Sequence, residues 1–224
     1  MTLPFTIECQ PRLLVATFPK PQQMLSWSLT HPGLRSATRV AWIEVRNADL
    51  SEDVDATRYI EQRISEAKLM DAVALVTSRN VDRHQISQAR IDGAVATCVT
   101  TLGLSNGERV GQRSLEKVRV PGTINTLVHI AEPLTEAALL ETMSIVTQAR
   151  TAAVMDAKVR RGGVLVTGTG TDCIVVAAPH GSNGAPFAGL HTAIGEAVGN
   201  ATYRATADGI ATWKSDVEIL TQAP

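Results

Sequence analysis

With 224 residues, 44% of them hydrophobic and 19% charged, the chain has the size and composition of one domain with a large core. A formal net charge of -1 excludes the basic excess that a nucleic-acid footprint needs. No apolar run approaches the roughly 20 residues of a membrane helix, and Met1–Phe5 has neither a basic nor an apolar leader segment, so no signal peptide is expected; three widely separated cysteines read as reduced thiols of a cytoplasmic protein.

From the amino end, Phe5 to Phe18 alternates enough for one or two strands, and Pro19-Lys20-Pro21 is expected to end them. Ala37 to Val45 reads as another strand. Asp55 is a good N-cap for a helix through Ala67, with Ile60, Ile64 and Ala67 on one face. Ala72 to Val76 and Ala94 to Thr101 read as buried strands. The longest helix is expected from Thr135 to about Lys158, where Leu139, Met143, Val146, Ala153 and Ala157 recur at helical spacing. Arg160-Arg161-Gly162-Gly163 would close it, basic residues facing the negative end of the dipole and glycine beyond. Val164-Leu165-Val166 and Ile174 to Ala178 then read as strands on either side of a glycine turn. A last helix begins near Leu190 and buries Ala193, Ile194, Ala197, Val198 and Ala201. This order implies a single α/β domain over residues 1–224, a mixed β-sheet packed with helices, whose strand order the sequence does not determine.

Two polar clusters stand out. The turn Gly168-Thr169-Gly170-Thr171-Asp172 carries hydroxyls and a carboxylate between apolar strands. The stretch Ala188-Gly189-Leu190-His191-Thr192-Ala193-Ile194-Gly195-Glu196 opens a helix with a histidine near its start. A nucleotide reading of the first fails on two counts. The dinucleotide fingerprint needs a glycine where Cys173 stands and a helix afterwards, and no Gly-Lys-Ser/Thr ends the turn as in a P-loop. The bland reading is a turn whose glycines relieve strain while its threonines cap backbone groups.

Together with Thr101-Leu102-Gly103-Leu104-Ser105-Asn106 and Gly122-Thr123-Ile124-Asn125-Thr126, these clusters give four motifs in one order. From about Asp71 to about Tyr203 the chain resembles the adenosylcobinamide amidohydrolase family of corrinoid salvage. In the first third the pattern departs. A Ser-rich turn followed by a Gly-Gly pair is replaced by Ser26-Trp27-Ser28-Leu29-Thr30-His31-Pro32-Gly33, with one glycine. The resemblance implies hydrolysis of the amide joining aminopropanol to the corrin ring, giving adenosylcobyric acid for cobamide salvage and remodelling. The corrinoid is then substrate, no cofactor is implied, and a homo-oligomer is compatible with the sequence.

Amide hydrolysis needs a polarised carbonyl, an activated oxygen nucleophile and a proton for the departing amine. Asp172 and His191 are the expected proton-transfer groups, with Glu196 as a third candidate and Thr171 as a hydroxyl at the reacting centre. A neutral imidazole at a helix start suits a general base, while a helix-start histidine bonded to a backbone carbonyl is the alternative. Glu196 is either a buried functional carboxylate or a partner for Arg204. The backbone of Gly168, Thr169 and Gly170 can approach a carbonyl closely. Asn106, Thr123 and Asn125 put amide and hydroxyl groups at strand ends, where ligands meet α/β sheets. Thr123 after a glycine also fits a self-processing amidase, although nothing requires it.

Cys173 reads as packing with Val175 and Ala177 rather than as a nucleophile, and thiol reagents should leave the protein active. Cys9, Cys98 and Cys173 are widely separated, with no Cys-x-x-Cys pair, so reduced thiols are expected and neither a zinc ribbon nor a disulfide framework. His31, His84, His129 and His180 form no ligand-like pair, so a metal-independent hydrolase is expected. Of the few aromatics, Trp27, Trp42 and Trp213 are the candidates to stack a flat ligand, with core packing the expected use of at least two. Two rival functions remain: a non-catalytic corrinoid- or chelate-binding protein, and an amidase for another cargo such as a siderophore.

Overall fold

The computed structural model describes residues 2–46, 49, 54–112 and 122–222, with side chains through 218. The strands are β1 (Thr6–Gln10), β2 (Leu13–Ser26), β3 (Gly33–Glu44), β4 (Val73–Thr77), β5 (Gln85–Ile91), β6 (Ala94–Leu102), β7 (Gly107–Glu108), β8 (Ile124–Ile130), β9 (Arg160–Arg161), β10 (Val164–Leu165), β11 (Gly168–Thr169) and β12 (Cys173–Pro179). The helices are α1 (Ala56–Glu66), α2 (Glu136–Asp156) and α3 (Ala193–Gln222). Eight strands share one mixed sheet in the order β4-β3-β2-β12-β8-β6-β5, with β1 added along β2, and the expected α/β class holds.

Local chemistry sets several boundaries as expected. The Asp55 carboxylate accepts the N–H groups of Thr57 and Arg58 at the start of α1. The Thr135 hydroxyl accepts the Ala138 N–H at the start of α2. Other expectations are corrected. Pro19 and Pro21 do not end β2; they sit where its register shifts between Thr17 and Gln22. On one edge of β2, β1 pairs before this break and β12 after it, so the residues with no N–H to give fall where the partner changes. The next strand begins four residues earlier than Ala37, at Gly33. The longest helix is α3, at 30 residues, not α2, at 21. Arg160 to Gly163 does not close α2. Lys158 ends it at a positive φ of 53°, and Gly162 and Gly163, both at positive φ, turn the β9–β10 hairpin. Strand β5 and its Asp92-Gly93 turn escaped the sequence reading, although Asp-Gly is a strong hairpin signal.

The strands around the glycine turn are not each other's partners. Gly168 and Thr169 pair with β7, whereas β12 runs parallel to β8 and antiparallel to β2. Helices α2 and α3 cover one face of the sheet through Cys98, Val128, Ile174 and Val176. Helix α1 covers Ala41, Ile43 and Ala74 through Ile60 and Ile64. The opposite face curls inward and packs on itself: Leu14, Trp42, Leu75, Val99, Leu127 and Val175 form one cluster. The Trp42 indole N–H donates to the Asn125 carbonyl at 3.3 Å across the two strands between β3 and β8. The curl brings edge strand β4 beside the start of β8, and a cavity opens there.

Candidate functional site

The cavity holds about 670 Å³ and lies among the C-terminal half of β4, the starts of β8 and β12, and the loop after β2. Asn106, Thr123, Asn125, Gly170, Thr171 and Asp172 line it, with Trp27, Ser28 and Leu29 opposite and Thr77 and Ser78 beyond. Three of the four sequence motifs therefore meet in one place.

Asp172 organises this wall. Its Oδ2 accepts the Thr169 N–H at 3.0 Å and pairs with Arg150 Nη1 at 3.0 Å. Its Oδ1 accepts the Ile124 N–H at 3.1 Å and the Thr169 hydroxyl. Both oxygens are thus engaged inside the protein, and the side chains of Asp172 and Arg150 are 9% and 11% exposed. A Cβ on residue 168 would lie 2.6 Å from Asp172 Oδ2, so glycine is required there. The bond pattern is that of a stapled turn.

The neighbouring hydroxyls are pinned as well. Thr123 donates to the Thr171 carbonyl at 2.8 Å, and Thr171 donates to the Gly122 carbonyl at 3.1 Å. With their protons committed to backbone, both present lone pairs to the cavity. Asn125 donates its side-chain N–H to the Val76 carbonyl on β4. Among the described residues, Asn125 Oδ1 and Asn106 Oδ1 are buried with no hydrogen-bond partner. An unpartnered buried acceptor costs about 1–3 kcal/mol, and both asparagines line this cavity. A Cβ on residue 122 would meet Asn106 Oδ1 at 2.7 Å, so Gly122 lets that amide in.

Cys173 begins β12 and joins the inner-face cluster with Val175 and Ala177, as expected. Burial, with the Asp172 charge adding, pushes its thiol up to about 12, far from thiolate at neutral pH. Trp42 is buried in the core and Trp213, partly buried, packs against the cluster of Leu102, Ile124 and Ile210, whereas Trp27 is half exposed at the cavity mouth.

His191 and Glu196 do not join this wall. Thr192, next to His191, borders a depression with Asp92, Gly93, Ala131 and Glu132, beyond the far end of β8. Strand β12 has seven residues, so Asp172 and His191 stand at opposite ends of a span of about 20 Å. His191 precedes α3 proper and is exposed; Thr192 caps the helix through the Gly195 N–H at 2.9 Å. Glu196 is exposed on the groove between α2 and α3 and is not the partner of Arg204, which donates to the Gln88 carbonyl. The expected convergence of Asp172 and His191 on one bond is therefore corrected. Several residues of the site escaped the sequence reading, Thr77 and Ser78 among them. Arg150 had a signal, since Thr142, Val146 and Arg150 fall at four-residue spacing on the buried face of α2. Val76 had none, because its role depends on the sheet curling. Among the described residues no group of three His, Cys, Asp or Glu side chains is placed to hold a metal ion, and no helix is long and apolar enough to cross a membrane.

A family model described as adenosylcobinamide amidohydrolase matches residues 3–218. An uncharacterized protein of Methanocaldococcus jannaschii, MJ1613, is 27% identical over 164 residues, which span 64% of this chain and 64% of that protein. The PH0078 protein of Pyrococcus horikoshii, known from a crystal structure, aligns over 94% of this chain and 80% of its own at 11% identity, with a TM-score of 0.41.

Proposed function

The chain belongs to the adenosylcobinamide amidohydrolase family, and from that premise we propose that it hydrolyses the aminopropanol amide of adenosylcobinamide in the cavity beside Asp172. The carrying observation is the cavity wall. Asn106, Asn125, Thr123 and Thr171 line it; the two hydroxyl protons are committed to backbone carbonyls, and Asn106 Oδ1 and Asn125 Oδ1 have no partner among the described residues. A corrinoid edge presents the complement: primary carboxamide N–H groups, the secondary amide N–H and the aminopropanol O–H.

In this reading the asparagines hold the carboxamide edge and Gly170–Thr171 lies against the scissile carbonyl. Water adds its oxygen to the carbonyl carbon, the C–N bond breaks, and the amine leaves with a proton. The products are adenosylcobyric acid and 1-aminopropan-2-ol. Asp172, the carboxylate on this wall among the described residues, fixes the turn through Arg150, Thr169 and Ile124. Trp27 walls the opposite side.

A corrinoid-binding protein without hydrolysis is the second reading. It is favoured by the engagement of both Asp172 oxygens with internal donors. Incubation with adenosylcobinamide, following 1-aminopropan-2-ol release and corrinoid binding together, separates the two. Release supports the hydrolase and binding without release the carrier. Neither result would send the search to another amide, such as a siderophore.

A further inference from the structure

The loop between β2 and β3, where the chain departs from the family pattern, reverses the usual arrangement of polar and apolar side chains. Its polar groups turn inward. The Ser26 hydroxyl bonds buried Ser28 at 3.2 Å. The Thr30 hydroxyl donates to the Ala72 carbonyl at 3.4 Å and accepts the Ala74 N–H at 3.1 Å. His31 Nε2 bonds the Met70 carbonyl at 2.9 Å. Its apolar groups turn outward: Trp27 is 49% exposed, Leu29 is 53% exposed, and Met70 nearby is 62% exposed. Water favours the opposite choice at each position. Leu29 is also a shared wall. On one side lies the 670 Å³ cavity, and on the other a groove of about 720 Å³ along α1 that includes His31, Arg58 and Met70, with Ile60 common to both.

Resting on the hydrolase reading, we infer that Trp27, Leu29 and Met70 form a fixed platform for the apolar, methyl-bearing surface of the substrate macrocycle. The platform is rigid because its polar residues bind it to β4 and to the segment before it. The Trp27 indole N–H donates to the Asp172 carbonyl at 2.9 Å, so the indole is locked to the residue that holds the reacting turn. A ring seated on it closes the cavity mouth and carries its amide edge toward Asn106 and Asn125. The platform thereby sets which ring reaches the cavity, a role separate from the acceptors that hold the amide.

The test titrates adenosylcobinamide into wild type, Leu29→Ser and Leu29→Ser/Met70→Ser, reading Kd by tryptophan quenching and by equilibrium dialysis. The platform predicts a Kd about tenfold weaker in the single variant and weaker again in the double variant. Thermal midpoints should stay within about 2 °C, because substitutions at exposed side chains leave folding nearly unchanged. Trp27→Phe should remove most of the quench. Unchanged Kd in both serine variants, with wild type still binding, overturns the platform and leaves the hydrolase reading intact. Dissociation of a wild-type dimer in the variants assigns the surface to a second copy and also overturns it. Wild type that neither binds adenosylcobinamide nor releases aminopropanol removes the reading itself, and the platform with it.

Discussion

At the amino end of β12, Asp172 gathers donors from its own turn, from β8 and from α2, while Trp27 bonds its carbonyl from a fourth stretch of chain. At the carboxyl end, the chain leaves Pro179 and reaches His191, which is exposed before α3 begins. Both ends carry glycine, threonine and a titratable group, and in sequence they are neighbours. Only one is enclosed. What makes a chemical site of a polar cluster is the number of distant segments that fold over it, because enclosure removes water and strengthens each electrostatic contact.

Asp172→Ala breaks this contrast most severely. It strands a buried Arg150 and leaves the Ile124 and Thr169 N–H groups without their acceptor. A loss of about 3–5 kcal/mol is expected from urea denaturation; a loss under about 1 kcal/mol would deny the turn its organising part. The strands between the two ends are probed by acid. His129 lies on β8 among Phe5 and Phe18, and burial lowers its pKa from 6.5 to about 4. Between those values the unfolded chain takes up a proton that the folded chain refuses. The stability in question is therefore complete above 6.5 and is lost as pH falls toward 4. About 2 kcal/mol should disappear by pH 5, and a His129→Phe chain should show a flatter pH profile of urea midpoints.

Asn125→Ala sharpens the account of the enclosed end. Removing one acceptor and the bond to Val76 should lower kcat/KM on adenosylcobinamide by about tenfold to a hundredfold, and an unchanged value would empty the cavity wall of its meaning. His191→Ala is the smallest expected effect: turnover within about twofold and stability within about 0.5 kcal/mol. A large fall in turnover, with folding intact, would return His191 to the chemistry and erase the contrast between the two ends.

How far the sequence foretold this depends on the range of each interaction. Asp55 and Thr135 were legible because capping is settled within three residues. Cys173 was legible because strand alternation placed it with Val175 and Ala177. The Arg160–Gly163 hairpin was misread because basic residues and glycine suit a helix end as well as a two-residue turn. The separation of Asp172 from His191 was legible in part, since Ile174 to Ala178 reads as a strand between them; that the chain beyond Pro179 does not fold back to the turn was not. The polar groups that line the cavity, Asn106, Thr123, Asn125 and Thr171, were named, whereas Arg150 and Val76, which brace this wall from α2 and β4, were not.

The break in β2 bears on how the molecule is made. Its second half holds a seat for β12, the last strand of the sheet to leave the ribosome, while β1 and β3 are available at once. Pro19 and Pro21 offer no N–H for an extension of β1 into that seat. The seat on β2 is thus filled only once about residue 179 has emerged, and the pocket, whose walls run from Trp27 to Cys173, is completed only after translation has passed that point.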